Sequence, residues 1–249
     1  MTETFSKRIE NFRERWGVPG SVLKIIAIVS MLIDHTGATV VRALRSYPYF
    51  LADPQRAYFI DRLYYYCRRI GRLGFPLFCF LLVEGFTHTR SVKKYASRLF
   101  LFALISEYPF DYALHHGQAF LTKQNVYFTL LIGILVLWGV RVYQGRVVLQ
   151  LITMILGMWT AGALKTDYSY RGVFLIESLY ILRFSRLFQC LGGGAFMYYE
   201  KMPTPLAFLP AYLYNGKRGR QMKYFYYWFY PAHLMLLGLI TYVVLPKML

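Results

Sequence analysis

Nineteen residues, Leu23 to Val41 (LKIIAIVSMLIDHTGATVV), are apolar around a whole helical cylinder yet carry Lys24, Asp34 and His35. A bilayer is spanned by about 20 such residues. Pro19-Gly20-Ser21 ahead of the run predicts a helix start, with Ser21 as its N-cap. Lys24 and His35 are eleven positions apart, close to three turns, so both lie on one face roughly 16 Å apart along the axis. Lys24 can snorkel to the membrane surface. Asp34 and His35 sit too deep for that, and ionisable groups at such depth face a bundle interior or a wet cavity. The helix is therefore the expected functional centre.

The rest of the 249 residues agree with a membrane setting. Hydrophobic residues make up 57% and charged residues 16%, outside the usual soluble balance. The net charge of +17 is distributed through short connections between apolar runs and forms no contiguous basic face. That pattern suits anionic lipid headgroups and excludes a nucleic-acid partner. Cys67, Cys79 and Cys190 have neither metal-ligand spacing nor a disulfide framework, so no metal site is expected. The first 22 residues are too polar for a cleavable signal, and the Leu23 helix is expected to act as an uncleaved anchor.

The expected fold class is all-α, a polytopic helix bundle of eight to ten membrane segments. Residues 1–22 form an N-terminal interfacial segment and 23–249 a single membrane domain. Phe5, Ile9, Phe12 and Trp16 recur at helical spacing among Lys7, Arg8, Arg13 and Arg15, the mark of a helix lying in the interface. Arg42 to Leu73 is a long, arginine-rich connection whose Ile60 to Arg72 portion predicts a second surface helix. Gly71 to Pro76 breaks the chain before the next span, Phe75 to His88. Further spans are expected at Arg98–Leu114, Val126–Tyr143, Val147–Leu164 and Val173–Leu182. Shorter ones follow at Leu187–Tyr199 and Leu206–Tyr214, and the last, Tyr224–Leu245, is apolar almost throughout.

Arg90, Lys93, Lys94 and Arg98 form one acid-free cluster and Lys217, Arg218, Arg220 and Lys223 another. An even number of expected spans separates them, so both can be cytoplasmic, which places the N-terminus inside. The basic Arg42 to Leu73 connection then falls outside, against the rule, unless its arginines bind something or it hides a membrane segment.

Several spans carry ionisable groups. Glu84 and His88 share one helix face, as do Glu107 and Asp111; Glu177 and His233 lie on others, His233 just past the helix-breaking Pro231. Asp34 and His35 are neighbours about 100° apart around their helix and are not expected to pair. The orienting partner of His35 is expected from another helix, with Glu84, Glu107 and Glu177 as candidates. A neutral His35 could then act as a general base. Arg68, Arg69 and Arg72 beside Gly71 and Gly74 could grip phosphates or a carboxylate, or anchor headgroups. No nucleophile elbow or P-loop is present. Gly192-Gly193-Gly194 reads as close helix packing, Tyr224 to Tyr230 as part of an interfacial belt, and His115 and His116 as loop residues.

Lys24 followed by His35 within MLIDH (31–35), GRLGFPLF (71–78), NVYF (125–128), YSYRG (168–172) and FYPAHL (229–234) resemble the TraX family over most of the chain. That family is similar to a larger group of integral-membrane acyltransferases, including acyltransferase-family-three-like proteins and heparan glucosaminide N-acetyltransferase. In that group a basic residue and a histidine eleven positions later mark the active site.

The resemblance implies a bacterial inner-membrane enzyme moving an acetyl group from cytosolic acetyl-CoA to an amine or hydroxyl. The acceptor could be a small molecule, a glycan or a peptide N-terminus, as in the founding TraX, which acetylates a conjugative pilin. Carried over by motif, His35 is the base with Asp34 in support and His233 lining the same cavity, and Glu84 joins them as a catalytic candidate from its place in the second span. Lys24, Arg68, Arg69, Arg72 and Asn125 fall to the donor. A homodimer is compatible with this. Two rival classes remain: a proton-coupled transporter, whose inverted repeat is not evident, and a non-catalytic assembly protein.

Overall fold

The computed structural model describes residues 2–116, 123–220 and 222–248, without the side chains of 2–7, 9 and 223. Its helices are α1 (Thr2–Trp16), α2 (Gly20–Thr36), α3 (Arg42–Leu44), α4 (Pro48–Leu51), α5 (Pro54–Gly71), α6 (Gly74–Thr87) and α7 (Val92–Leu114). After them come α8 (Val126–Val142), α9 (Val147–Ala163), α10 (Ser169–Ile181), α11 (Arg186–Met197), α12 (Phe208–Tyr212), α13 (Lys223–Leu239) and α14 (Leu245–Met248). Wide π turns at Gly37–Val41 and Ile240–Val244 join α2 to α3 and α13 to α14. Among the described residues there is no strand, so the all-helical expectation holds.

Three helical stretches are long and apolar enough to cross a membrane: Gly20–Leu44, Pro54–Thr87 and Tyr224–Met248. Val126–Val142 and Val147–Ala163 are apolar but shorter. A count of eight to ten crossings therefore goes beyond what length and hydropathy establish. The N-terminal stripe is helical in backbone, with Phe12 and Trp16 exposed; the side chains of Phe5, Lys7 and Ile9 lie outside the described residues.

Short polar residues set the helix starts where the sequence offers them. Asp53 accepts from the Gln55 amide ahead of Pro54, Ser91 from Lys94, and Asn125 from Tyr127. Ser21 is the exception. The helix begins at Gly20, and the free amides of Gly20 and Ser21 donate to the carbonyls of Lys217 and Arg218 at 2.8 and 3.0 Å. A neighbouring loop here does what a side-chain cap does elsewhere.

The Arg42 to Leu73 connection is not a loop. Within it α5 packs along α2 and its π turn, through two glycines that let the backbones close. A methyl group at Gly37 would lie 2.6 Å from the Cys67 Cβ, and one at Gly71 would overlap Asp34. Five of its arginines are engaged locally: Arg45 with Asp61, Arg56 with Asp53 and Arg68 with Asp34, while Arg62 and Arg69 lie over Tyr66 and Tyr65.

The main core gathers Leu23, Ala27, Phe75, Phe80, Phe86, Phe102, Ile134, Leu175 and Leu234 from α2, α6, α7, α8, α10 and α13. Helix α9 stands at the edge and buries only Gly157 and Ala161.

Candidate functional site: a charged cavity against paired imidazoles

Helices α2 and α13 run parallel, and one stripe of α13 faces the Lys24–His35 face of α2. Tyr226, Tyr230 and His233 follow one another by four and three positions, so they share that stripe. Lys24 lies over the Tyr226 ring at 5.1 Å, and the Tyr230 ring stands edge-on to His35. His35 Nδ1 and His233 Nε2 are 2.7 Å apart, the rings 9° from parallel and both buried.

The hydrogen bonds decide which nitrogens carry protons. His233 Nδ1 is 2.7 Å from the Phe229 carbonyl. A carbonyl only accepts, so this nitrogen donates. In a neutral ring His233 Nε2 must then accept, and His35 Nδ1 must donate to it. The lone pair of His35 is thereby left on Nε2. Pro231 helps hold this end of α13: lacking an N–H, it frees the Tyr227 carbonyl, which accepts from the Tyr127 hydroxyl at 3.2 Å.

His35 forms one wall of a cavity of about 450 Å³. Five cations line it, Arg42, Arg68, Arg72, Lys123 and Arg171, against three carboxylates, Asp34, Asp167 and Glu200. Three ion pairs join separate elements: Arg68 to Asp34 at 2.5 Å, Arg72 to Glu200 at 3.0 Å, and Lys123 to Asp167. Arg42 and Arg171 have no carboxylate partner among the described residues. Arg171 Nε donates to the Tyr170 hydroxyl at 3.2 Å and its guanidinium lies over Tyr199. Burial pushes the Tyr199 phenol up to about 12, and that of Tyr168 upward as well, so both remain protonated at neutral pH and can donate. The surplus of two cations, with tyrosine donors beside them, suits an anion.

The structure thus brings together His35, His233, Asp34, Arg68 and Arg72. It places other sequence candidates elsewhere. Lys24 sits eleven residues down α2, outside the cavity lining. Arg69 turns outward over Tyr65. Glu84 pairs with Arg186 at 2.9 Å, and His88 is exposed. The Asn125 amide is fully buried and donates to the Ala103 carbonyl and Glu107. Glu177 is buried on α10, away from the lining. The orienting partner of His35 is consequently His233, and not Glu84, Glu107 or Glu177.

Sequence reasoning missed Arg42, His115, Lys123, Asp167, Tyr199 and Glu200. Of the lining beyond Asp34, His35, Arg68 and Arg72, the YSYRG stretch, which supplies Tyr168, Tyr170 and Arg171, stood out beforehand through the family resemblance.

The TraX protein family model matches residues 19–241. The chain belongs to the TraX family. A curated relative from Dichelobacter nodosus, named probable fimbrial assembly protein FimC, serogroup H1, is 30% identical over 247 residues, 86% of this chain and 92% of its own length. No solved structure matches. These matches do not extend TraX to the wider group of membrane acyltransferases.

They also correct the expected activity. The expectation of an acetyl-CoA-dependent acetyltransferase is overturned by a full-length relative named for fimbrial assembly, with no transfer chemistry in either match. The geometry adds a reason, since Lys24, Arg69 and Asn125 do not converge with Arg68 and Arg72 on one donor site. With its several apolar helices, this TraX protein reads as multi-pass.

Proposed function

We propose that this TraX protein is a membrane component of fimbrial assembly whose cavity captures an anionic group beside the His35–His233 pair, on the side away from the cytoplasm. The single observation that carries this reading is the cavity itself: five cations against three carboxylates, walled on one side by an imidazole whose lone pair is fixed by hydrogen bonding. The relative's name supplies the setting.

The side follows from charge. The amide of Gly20 bonds the basic 217–220 loop, and the Thr87 end of α6 leads into the basic 90–98 segment. His35 lies about 22 Å further along α2 from that end. Basic loops favour the cytoplasm, so the cavity is turned away from it and the N-terminus lies inside. In this reading α2–α3, α5–α6, α7, α8, α9, α10, α11 and α13–α14 each cross the bilayer, and the 201–216 stretch containing α12 returns the chain from the cavity side to the cytoplasmic side before α13.

Two measurements test the proposal. Purified protein titrated calorimetrically with glycerol phosphate should bind it, and Arg72→Ala should weaken binding about tenfold, the weight of one charge-assisted contact. In D. nodosus cells lacking the FimC relative, the native chain should restore surface fimbriae and His35→Ala should not. Restoration by a His35→Ala, Arg72→Ala double variant would sink the reading.

A further inference from the structure

On the outer face of α9, beside the cavity, lies an apolar groove of about 560 Å³ lined by Ile155, Met158, Trp159, Gly162, Ala163 and Tyr170. Tyr170 belongs to both spaces: the same residue lines the groove and the charged cavity. Arg171, bonded to the Tyr170 hydroxyl, stands at the junction. The groove follows the last two turns of α9, where Gly162 and Ala163 leave a shallow floor and Trp159, 70% exposed, makes a wall.

We propose that groove and cavity hold one ligand, a glycerophospholipid with an anionic headgroup such as phosphatidylglycerol. Its phosphate sits at Arg171 in the mouth of the cavity and an acyl chain runs down the groove along α9. This rests on the anion-binding reading of the cavity and names the ligand class.

Three features select a lipid. The groove begins where the cations end, so polar and apolar parts of one amphiphile meet both surfaces without a gap. An acyl chain has no backbone polar groups to satisfy, and the groove's one polar side chain, Tyr170, already accepts from Arg171. The groove also continues onto Leu151, Ile152 and Val148, an exposed apolar face running toward the opposite end of the bundle, as an acyl chain entering from the surface requires.

Trp159 reports occupancy directly. In full-length protein with Trp16, Trp138 and Trp228 changed to Phe, reconstituted in phosphatidylcholine nanodiscs, brominated phosphatidylglycerol should quench Trp159 at about one-tenth the mole fraction needed by brominated phosphatidylcholine. Arg171→Gln should abolish that preference while thermal unfolding stays unchanged. Gly162→Leu, which fills the groove, should weaken quenching by the anionic lipid.

Equal quenching by both headgroups overturns the proposal, as does a preference that survives Arg171→Gln. Stronger quenching by a brominated apolar peptide than by either lipid would assign the groove to a peptide and overturn it too. Glycerol phosphate binding without a lipid preference sinks this inference and leaves the cavity reading intact; loss of both sinks both.

Discussion

His35 and His233, 198 positions apart, meet through a 2.7 Å bond between ring nitrogens and lie nearly parallel. Because the Phe229 carbonyl fixes the proton on His233 Nδ1, His35 is held with its proton on Nδ1 and its lone pair on Nε2. Nitrogen-15 spectra of labelled protein should show His35 in that form. His233→Phe removes the acceptor and should release His35 to the other tautomer. An unchanged His35 spectrum in the variant would contradict the assignment.

The Arg68–Asp34 pair is partly buried, with side-chain exposures of 29% and 17%. Arg68→Ala strands a carboxylate on α2 and should destabilise the protein by about 1–3 kcal/mol. Replacing both partners by Ala should recover part of that loss. Denaturation of detergent-solubilised protein checks both, and additive losses would show that the two side chains do not interact.

Gly37 and Gly71 let α5 approach α2 closely enough for that pair to form. Gly71→Ala forces the helices apart and should cost about 1–3 kcal/mol through overpacking. Glycerol phosphate binding should weaken in parallel, since Arg68 and Arg72 are carried on the displaced helix. Full binding in Gly71→Ala would separate the cavity from this contact.

Arg171 is exposed and Lys24 lies outside the cavity lining. Arg171→Ala should lower anion affinity about tenfold with little change in unfolding temperature. Lys24→Ala should leave affinity unchanged, although it removes the contact over Tyr226. The reverse ranking in a binding titration would move the anion site to the other end of α2.

Local sequence alone determined that the apolar run from Leu23 is a helix carrying His35, that Ile60 to Arg72 is helical, and that Tyr224 onward forms the last apolar helix. Those properties depend on neighbours within a few turns, which sequence carries. Tertiary packing alone decided that His35 faces His233 and not a glutamate, that Asn125 turns inward to Glu107, and that Lys123, Asp167 and Glu200 enclose one cavity. The Arg72–Glu200 pair joins residues 128 positions apart. Nothing local distinguishes Glu200 from a solvated carboxylate, because its role comes from the fold bringing α5 to the end of α11. The same holds for the groove: α9 reads as one more apolar helix until packing leaves its outer face bare beside Tyr170.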